Sequence, residues 1–371
     1  MLATLKSRFF LLCFFIVSQC LAHAEEKTLL VTGGAGFIGS HFVQHMFNKY
    51  PDYRIIVLDA LTYSATSDNI PESIRSSPRF SFVHGSICDK AIVSELLGKS
   101  DFVVHFAAES DVTRSICDDE IFYQTNVMGT RNLMHYLVKH KDKVQRFVHI
   151  SSSEVYGTCE KEEIDEDHPL NPMSPYAASK AGADRTVYAY GCTYDLPVVI
   201  LRFFNNYGPS QHLEKVVAKF ITHALTKQPI SIHGSGEQMR DWLYVMDTAR
   251  AIDAALHVEH FDSIKNTVIN CGTGCATSIK TIAETICLIA NYPPCHLVYT
   301  ADRPGQVHKH LSSTQKAKEL LGWEALTSLE EGLIRTIAWY QQHPEFWEKE
   351  IGDPQIKKDN QVLISEKMQS E

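Results

Sequence analysis

Several features that would place the chain in other protein classes are missing from its sequence. No internal repeat or low-complexity segment interrupts the 371 residues, which excludes repeat, collagen-like and largely disordered proteins. After residue 24 no hydrophobic run is long enough to suggest a membrane span. Because 44 acidic residues outnumber 35 basic ones, the net charge is -9, and we expect no nucleic-acid partner.

Metal-binding cysteine pairs are missing as well. The sequence has ten cysteines but no Cys-x-x-Cys pair, and Cys271 and Cys275 have no companion pair at zinc-ligand spacing. We therefore predict no metal site. The eight cysteines after the N-terminal segment are typical of buried free thiols in a reduced compartment, although an even number would permit four disulfides.

The N-terminal segment differs in character from the rest of the chain. Two basic residues precede an apolar run at 9–17, and Ala22-His23-Ala24 follows. This pattern predicts a signal peptide or leader over residues 1–24, since the run is too short for a comfortable membrane span. A wrongly assigned start codon is the alternative, but the next methionine, Met46, lies beyond the first motif.

A glycine-rich turn follows the first apolar run of the body. Residues 28–32 predict a buried strand and residues 40–49 a helix, with Gly33, Gly36 and Gly39 between them. This spacing allows a tight turn, close approach of the backbone to a pyrophosphate, and close packing of the helix. The glycines alone could form only a turn, but their position between a strand and a helix predicts a dinucleotide site.

Asp59 indicates which dinucleotide is bound. It ends the apolar run at 54–58 and lies 20 residues after Gly39. A carboxylate there would bind the hydroxyls of the adenosine ribose and repel a 2′-phosphate. We therefore predict NAD, rather than NADP, as the cofactor.

Alternating strands and helices predict an α/β fold with a Rossmann-type doubly wound parallel sheet. We assign residues 27–204 to the NAD-binding domain, with one further strand near 266–270. The alternation loosens afterwards, so 205–347 is predicted to be mainly a smaller C-terminal substrate-binding lobe, and 352–371 a polar tail. The other predicted strands are 80–84, 102–106, 145–150, 198–203 and 230–233, and the other predicted helices are 90–98, 121–140, 176–194, 215–226, 246–258, 278–289, 313–321 and 328–343.

Candidate catalytic groups lie in the middle of the chain. The cluster from Ser151 to Glu154 follows a predicted strand, at the sheet edge where ligands bind. Tyr176 and Lys180 are four residues apart on a predicted helix, so the ammonium would lie near the phenol and favour its phenolate. Such a tyrosine could take a proton from an alcohol, although an ordinary amphipathic helix can carry the same pair.

Together these residues resemble the extended short-chain dehydrogenase/reductase family, and within it the nucleotide-sugar 4,6-dehydratases, most closely those acting on dTDP-glucose. The resemblance covers about Lys27 to Trp347. Its motifs occur in order, which is highly specific for the superfamily and less so for the substrate. They are TGGAGFIGS at 32–40, DALTY at 59–63, AAES at 107–110, RSI at 114–116, EVYG at 154–157, NNYGP at 205–209, EK at 214–215, RDW at 240–242 and DRPG at 302–305.

The resemblance implies a reaction sequence on a nucleotide-diphosphate hexose. Tyr176 would take the proton of the C4 hydroxyl as hydride passes from C4 to NAD, and Lys180 would lower the Tyr176 pKa and hold the ribose. Glu154 would then remove the proton at C5 as the C6 hydroxyl leaves as water and the hydride returns to C6. Ser152 completes the implied catalytic group, and the product is a 4-keto-6-deoxy sugar nucleotide.

The resemblance also implies binding residues. The basic residues Lys215, Arg240 and Arg303 are candidates for a diphosphate clamp, although each could be a solvated surface residue. The other implied substrate ligands are Ser110, Ser152, Asn205 and Val216. The implied cofactor ligands are Gly33, Gly36, Phe37, Ile38, Gly39, Asp59, Leu61, Thr62, Ser86, Ile87, Ala107, Ala108, Ser110, Thr125, Tyr176, Lys180 and Asn206.

The chain departs from the dTDP-glucose pattern beside the proposed base. Those enzymes have Thr-Asp-Glu where this chain has Ser152-Ser153-Glu154, and their Asp protonates the departing oxygen. Serine is too weak an acid for this, so Glu154 would act as base and then as acid, directly or through water. GDP-mannose and some UDP-N-acetylglucosamine 4,6-dehydratases and UDP-glucuronate decarboxylases also carry a Ser-Glu pair. The nucleotide and sugar therefore stay open. Ser86, where the family usually has Asp near the adenine, and Ser231 and His233, where it usually has Pro and Tyr near the base, depart from the pattern as well.

Other functions stay open at this point. A 4-epimerase would need Tyr176, Lys180 and a serine but no carboxylate at 154, and a UDP-glucuronate decarboxylase would need an arginine such as Arg240 or Arg303. A noncatalytic NAD-binding protein is an alternative of another class.

Localisation and assembly are also expectations. The leader suggests export or membrane association, whereas NAD use and free cysteines suggest the cytoplasm. By resemblance we expect a homodimer formed through the helices at about 121–140 and 175–194.

Overall fold

The computed structural model of the protein describes residues 26–292 and 296–348. The strands are β1 (Lys27–Thr32), β2 (Tyr53–Asp59), β3 (Phe80–His84), β4 (Phe102–His105), β5 (Arg146–Ser152), β6 (Val198–Phe203), β7 (Asn205–Tyr207), β8 (Ile230–His233), β9 (Met239–Tyr244), β10 (Val268–Cys271), β11 (Ala276–Ser278) and β12 (Leu297–Thr300).

The α-helices alternate with these strands. They are α1 (Phe37–Lys49), α2 (Glu72–Arg75), α3 (Lys90–Lys99), α4 (Val112–Cys117), α5 (Glu120–Phe122), α6 (Thr130–Lys139), α7 (Pro175–Tyr194), α8 (Val216–Leu225), α9 (Val245–His257), α10 (Ile279–Ile289), α11 (Gln315–Leu321) and α12 (Leu329–Gln342). Short 3₁₀ turns occupy Ser67–Asn69, Ser153–Tyr156, Phe261–Ser263 and Pro344–Phe346.

Seven strands form one sheet in the order β10-β6-β5-β4-β1-β2-β3. Each neighbouring pair is parallel. From β1 the chain builds outward through β2 and β3, then crosses to β4 and continues toward β10, so the order reverses between β1 and β4. Ligands bind in such sheets at this reversal, beyond the carboxyl ends of the strands. The predicted doubly wound parallel sheet is confirmed.

Helices cover both faces of the sheet. On one face, Val43 of α1 and Ile252 of α9 join the core of the central strands. On the other face, Leu97 of α3, Leu133 of α6 and Val187 of α7 do the same. Every residue of β4 and of β6 is buried as a result. This burial on both faces explains why these strands are continuous apolar runs in the sequence, without polar alternation.

Helix α7 carries two of the candidate catalytic residues and has clear end signals. The Ser174 hydroxyl accepts a hydrogen bond from the Ala177 N–H at 3.1 Å, and Pro175 occupies the first turn. The helix ends at Asp195, whose φ of 54° is left-handed. These signals place Tyr176 in the first turn of α7, at the carboxyl edge of the sheet.

The predicted bounds of helices and strands agree best with the structure where the sequence signal lies within the element itself. Strands β3 and β6 have the predicted bounds. Helix α1 begins at Phe37 rather than at Ser40, because Gly36 already serves as its N-cap. The predicted helix 121–140 is interrupted by a π-helical turn at Tyr123–Gly129, which has no proline or glycine signal at its start.

A second hydrophobic core lies in the C-terminal part of the chain. Strands β11, β9 and β7 form one small sheet, and β8 pairs with β12 in another. Trp242 of β9 packs there with Phe220 of α8, Ile282 of α10 and Ile337 of α12. Strands β7, β9, β11 and β12 were not predicted, because they are short and β9 buries charged residues that break the apolar pattern.

Part of the range 205–347 belongs to the main sheet instead. Helix α9 packs against α1, β10 forms the edge of the parallel sheet, and α11 packs beside β10. The polypeptide therefore enters the lobe at β7, returns to the sheet over residues 245–271, and enters the lobe again at β11. A boundary at residue 205 separates the two cores only in part.

The cysteines differ from the prediction. Of the six free cysteines in the described ranges only Cys271 is buried, whereas Cys88, Cys192 and Cys275 are exposed. Cys287 is buried and is disulfide-bonded. The expectation of buried free thiols throughout is therefore wrong, because most of these residues lie in loops or on outward helix faces. The predicted leader, 1–24, and the tail, 352–371, lie outside the described residues.

Residues 26–292 and 296–348 contain neither a candidate membrane span nor a candidate metal site. No helix there is both long enough and apolar enough to cross a membrane. No group of His, Cys, Asp and Glu side chains in these ranges could hold a metal ion.

A buried ion pair lies beneath the carboxyl ends of β5 and β6. Arg202 of β6 donates from Nε and Nη2 to the Asp184 carboxylate of α7 at 2.8 and 2.9 Å. The Ser151 hydroxyl also donates to Asp184, at 2.7 Å, and Arg202 Nη1 donates to the Tyr156 hydroxyl at 2.7 Å. The Tyr156 hydroxyl donates in turn to Asn270 of β10. One network therefore joins two neighbouring strands, a helix and the loop that follows β5.

Replacing Asp184 by Asn should destabilise the protein by about 3 kcal/mol, because Arg202 would keep a buried charge without its anion. Burial raises the pKa of Asp184, but hydrogen bonds and charge from Arg202 outweigh burial and leave it below its usual value. A carboxyl of this kind loses its stabilising effect as the pH falls below about 4. Urea unfolding of wild type and variant at pH 7 and at lower pH measures both effects.

Asp195→Asn is the matched control. Asp195 ends the same helix and pairs with Lys265 on the surface, with its side chain 89% exposed. We expect no measurable change in the urea midpoint. Equal unfolding curves for wild type and Asp184→Asn would contradict the role of the buried pair.

Candidate active site

A cleft of about 760 Å³ lies at the carboxyl edge of the parallel sheet, between the sheet and the C-terminal lobe. Its walls come from the β1–α1 turn, the ends of β2, β4, β5 and β6, the first turns of α7 and α8, and strands β8 and β9. All the predicted site residues line this cleft except Leu61. The fold therefore brings together groups that are up to 270 positions apart in the sequence, from Gly33 to Arg303.

The glycine turn has different constraints at its three positions. Gly33 has a φ of +71°, and a Cβ there would lie 2.6 Å from the Ala107 backbone nitrogen. A Cβ on Gly39 would lie 2.3 Å from the Gly33 carbonyl oxygen. A Cβ on Gly36 would meet only that same oxygen, at 3.4 Å. Protein packing thus requires Gly33 and Gly39, whereas Gly36 keeps open the space in front of α1.

The N-terminus of α1 fits an anion. Its N-cap, Gly36, provides no side-chain hydrogen bond, and no acidic residue lies in the first turn. Phe37 and Ile38 of that turn line the cleft. The first N–H groups of a helix lack partners within the helix, and together with the helix dipole they bind a phosphate group.

Asp59 lies at the end of β2, next to this turn. Its carboxylate accepts hydrogen bonds from the Ala35 N–H at 2.9 Å and from the Leu61 N–H at 2.8 Å. Burial raises the pKa of Asp59, and the two backbone N–H groups oppose that change. Leu61 does not line the cleft and its side chain is exposed, so its contribution here is the backbone N–H that holds Asp59.

The remaining predicted cofactor residues form the floor and one side of the cleft. The Ala107 backbone packs against Gly33, and Asn206 donates to the Phe204 carbonyl at 2.9 Å and accepts from the Thr248 hydroxyl. The other cleft-lining members of this set are Thr62, Ser86, Ile87, Ala108, Ser110 and Thr125.

Tyr176 does not have the lowered pKa that the sequence predicts. Burial raises the pKa of Tyr176, and the largest opposing effects are the charge of Lys215 and a hydrogen bond with Ser152. The Lys180 ammonium instead donates to the Ile150 carbonyl at 2.7 Å, and burial lowers its pKa to about 8. The expectation of a lowered Tyr176 pKa is wrong, since spacing along a helix does not determine how deeply the phenol is buried.

Ser152 connects Tyr176 with Glu154. The Ser152 hydroxyl hydrogen-bonds to Tyr176 and accepts from the Glu154 N–H at 3.2 Å. Glu154 lies in the 3₁₀ turn after β5, and its side chain is 18% exposed at the cleft. Gly157 ends this turn with a φ of +71°, where a Cβ would lie 2.1 Å from the Asn171 carbonyl oxygen. The turn therefore holds a carboxylate in the same cleft as the phenol.

Lys215 lies opposite, at the start of α8, where Val216 also lines the cleft. Its ammonium donates to the Ser110 carbonyl at 2.7 Å and contacts Glu214 at 2.9 Å. Burial lowers the pKa of Lys215, but Glu214 and other nearby acidic groups outweigh burial and raise it overall. Lys215 is therefore held in its charged form inside the cleft.

Arg240, Arg303 and Asn205 lie on the lobe side of the cleft. Arg240 is buried and donates to its neighbouring carbonyl, and Arg303 donates from Nη2 to Gln306 at 2.9 Å. Among the described residues, the buried Arg303 Nε and Asn205 Oδ1 have no hydrogen-bond partner. These polar atoms fit a ligand that both accepts and donates hydrogen bonds.

Sequence reasoning missed several residues of the cleft. Tyr63 donates to Glu214 at 3.0 Å, and the Arg114 guanidinium lies 3.9 Å from the Tyr63 ring centre and 3.6 Å from Glu109. The motifs contained all four residues, but nothing in their spacing predicted these contacts. His310, behind Glu154, lies in no motif and could not have been found from the sequence.

Comparisons with known proteins agree with this architecture. The family described as GDP-mannose 4,6 dehydratase matches residues 30–336. The dTDP-glucose 4,6-dehydratase of Streptomyces griseus is 38% identical over 322 residues, which cover 86% of this chain and 96% of that protein. The low-salt glycan biosynthesis protein Agl12 of Haloferax volcanii is 39% identical over 312 residues, covering 84% of this chain and 98% of that protein.

Some relatives are much longer. A trifunctional UDP-glucose 4,6-dehydratase, 3,5-epimerase and reductase of Arabidopsis thaliana is 38% identical over 333 residues, 88% of this chain. The chain spans about half the length of that protein, 49%.

Solved structures show the same fold. The dTDP-glucose 4,6-dehydratase DesIV of Streptomyces venezuelae, solved with NAD and TYD bound, has a TM-score of 0.82 and 38% identity over 87% of this chain and 99% of that one. A UDP-glucose 4-epimerase from Thermotoga maritima, solved with UDP-glucose, has a TM-score of 0.78 and 32% identity over 85% and 99% of the two chains.

The fold and the site thus define a member of the extended short-chain dehydrogenase/reductase class. Within that class, the chain belongs to the GDP-mannose 4,6 dehydratase family.

Gly36→Ala should weaken NAD binding about tenfold or more without unfolding the protein. The φ at Gly36 is -74°, which alanine adopts readily, and the added methyl would occupy the space in front of α1 where a pyrophosphate approaches. Isothermal titration with NAD and a thermal melt measure the two effects. Gly39→Ala is the comparison, because its methyl would clash with the Gly33 carbonyl oxygen and should lower the melting temperature. Undiminished NAD affinity in Gly36→Ala would contradict this placement.

Proposed function

We propose that the protein is an NAD-dependent 4,6-dehydratase of a nucleotide-diphosphate hexose, dTDP-glucose or a related sugar. One observation carries the proposal: the Tyr176 phenol and the Glu154 carboxylate line the same cleft as the dinucleotide turn. The Ser152 hydroxyl hydrogen-bonds to Tyr176 and accepts from the backbone N–H of Glu154. A base for the C4 hydroxyl and a second base for C5 are the two groups that the dehydration requires.

The residues present fit NAD. Gly36 leaves room beside the uncapped start of α1, and the Asp59 carboxylate at the end of β2 suits ribose hydroxyls. When bound, NAD supplies a hydride acceptor that later returns the hydride, together with a positive ring charge.

Tyr176 takes the proton of the C4 hydroxyl in this proposal. Its pKa is raised by burial, so positive charges nearby are needed to make it a base. Lys215, held charged by Glu214, is one such group, and the Ser152 hydroxyl stabilises the phenolate by a hydrogen bond. Lys180 would hold a ribose hydroxyl of the cofactor, with its ammonium also donating to the Ile150 carbonyl.

Glu154 acts next. Once C4 is a ketone, the proton at C5 is acidic enough for a carboxylate to remove. Its partial exposure at the cleft gives a sugar access to it, and the positive charge of Arg240 lies nearby. Loss of the C6 hydroxyl as water then leads to the 4-keto-6-deoxy product.

The substrate diphosphate would lie between the two sides of the cleft. Lys215, Arg240 and Arg303 supply positive charge, and Val216 supplies an N–H at the start of α8. The unpartnered Asn205 amide oxygen only accepts hydrogen bonds, so it would bind a hydroxyl of the sugar instead. Ser231 and His233 line the end of the cleft and would contact the base. Neither residue selects one nucleotide by its chemistry, so the proposal extends to dTDP-, UDP- and GDP-hexoses.

Glu154 separates this proposal from a 4-epimerase, which has no use for a carboxylate at this position, although the epimerase fold is nearly the same. It does not separate the proposal from a UDP-glucuronate decarboxylase, which also carries a Ser-Glu pair. Release of CO₂ from UDP-glucuronate would identify that reaction instead. A noncatalytic NAD-binding protein would have no need for the half-buried Lys215 and Glu214 pair that faces Tyr176.

Glu154→Gln should retain NAD and oxidise C4 but lose water from the sugar at least about 100-fold more slowly, because an amide cannot accept the C5 proton. Incubation with a panel of dTDP-, UDP- and GDP-hexoses, with mass spectrometry of the products, measures the loss of water. Glu163→Gln, at an exposed position outside the cleft, is the control and should match wild type. Unchanged turnover in Glu154→Gln would remove Glu154 as the C5 base.

We also propose a homodimer formed by the helical segment 120–139 and α7. These helices pack on each other, and each exposes large apolar side chains, among them Met128 and Tyr188. Such exposed apolar residues on adjacent helices are typical of a subunit interface.

Light scattering should give twice the 41.9 kDa mass of the chain. Met128→Glu combined with Tyr188→Glu should shift the protein toward the monomer, because two charges would have to be buried at the interface. Leu326→Glu, an exposed apolar position in the C-terminal lobe, should leave the mass unchanged. A monomeric wild-type protein would refute the proposal.

A further inference from the structure

The proposed dehydration needs a proton on the departing C6 oxygen. Beside Glu154 the cleft wall offers two hydroxyls, Ser152 and Ser153. A serine hydroxyl is too weak an acid to give up its proton without a group that replaces it. The Ser152 hydroxyl already bridges Tyr176 and the Glu154 N–H, so Ser153 is the hydroxyl left for this task.

His310 lies directly behind Ser153 and Glu154. Its Nδ1 is 3.3 Å from the Ser153 hydroxyl oxygen and 4.0 Å from Glu154 Oε1. Its Nε2 is 2.9 Å from the Gly157 carbonyl oxygen. Because a carbonyl only accepts hydrogen bonds, Nε2 carries the hydrogen and Nδ1 presents a lone pair. The Ser153 hydroxyl therefore donates to Nδ1.

The surroundings of His310 suit a group that holds a proton briefly. The side chain is fully buried, with the Phe204 ring 6.0 Å away. Burial lowers the pKa of His310 to about 4; Glu154 opposes this effect, whereas Arg240 and His168 add to it. A histidine with a lowered pKa gives up a bound proton readily, so His310 can pass a proton on to Ser153.

We propose that His310 and Ser153 form a proton relay that carries the C5 proton from Glu154 to the departing C6 oxygen. The inference rests on the proposed dehydration. Ser153 would touch the substrate, whereas His310 does not line the cleft and acts through Ser153 and Glu154.

The relay moves one proton from C5 to the C6 oxygen and needs no proton from solvent. The C5–H bond breaks and its proton goes to the Glu154 carboxylate, leaving the electron pair on the sugar. Glu154 passes the proton to His310 Nδ1, which passes a proton to the Ser153 oxygen as the Ser153 hydroxyl proton moves to the C6 oxygen. The C6–O bond breaks and water leaves, as the electron pair from C5 forms the C5–C6 double bond. Glu154, His310 and Ser153 end in their starting protonation states.

His310→Gln tests the relay, because a glutamine amide can still donate to the Gly157 carbonyl but cannot take up a proton. Loss of water should fall about 100-fold. In D₂O, Glu154 still removes the C5 proton but delivery to the C6 oxygen is blocked, so recovered substrate should gain deuterium at C5. The wild-type protein should show little deuterium in recovered substrate, since elimination follows removal of the proton. NAD binding should be unchanged.

Ser153→Ala should give the same slow elimination and the same deuterium at C5, which tests the relay even if His310→Gln fails to fold. Introducing Ser153→Asp into His310→Gln should restore elimination about tenfold or more, because a carboxylic acid at 153 can protonate the oxygen itself. His308→Gln, an exposed histidine two positions away, is the control and should behave as wild type.

The relay is overturned if His310→Gln dehydrates as fast as wild type, or if it loses water elimination without deuterium at C5, which would mark a structural role. A different result would show that the proposed dehydration itself is wrong. In that case the wild-type protein releases water from none of the nucleotide hexoses, and the relay is refuted together with the dehydration.

Discussion

The buried Asp184–Arg202 pair is the interaction on which the candidate active site depends. Its carboxylate binds Ser151, and its guanidinium binds Tyr156, so the residues on both sides of Ser152, Ser153 and Glu154 are tied to one ion pair. A buried charge without its partner is strongly destabilising, which leaves the network few alternative arrangements. The turn that carries Glu154 is therefore held in place from beneath by the main sheet, although the turn itself faces the cleft.

The same helix joins this network to Tyr176, the proposed base. Tyr176, Lys180 and Asp184 follow each other at intervals of four residues on one face of α7. Asp184 stabilises the charge of Lys180, whose ammonium is anchored on the Ile150 carbonyl. One face of the helix thus carries a stabilising residue, Asp184, at its middle and the proposed base, Tyr176, in its first turn. The cation that most favours the Tyr176 phenolate, Lys215, comes from the opposite side of the cleft.

Much of the parallel sheet could be predicted because its signals are local. Strands buried on both faces appear as short apolar runs, and Gly33, Gly36 and Gly39 between a strand and a helix indicate a dinucleotide turn by their spacing. The C-terminal part was harder, since β9 buries Arg240 and Asp241, whose charges are satisfied by distant partners. The packing of α9 against the main sheet could not be predicted, because its apolar face could pack equally well in the main core or in the core of the C-terminal lobe.

The sequence by itself determined the fold class, the type of dinucleotide site, and the identity of Tyr176, Lys180 and Glu154 as candidates, because these depend on residue type and spacing. Only the tertiary structure decided how these groups are tuned. It buries Tyr176 so that its pKa rises, directs the Lys180 ammonium to a backbone carbonyl, and places His310 against Ser153 from 157 positions away. Burial, charge and contact between distant segments have no periodic signature in a sequence, since they arise only when the chain packs.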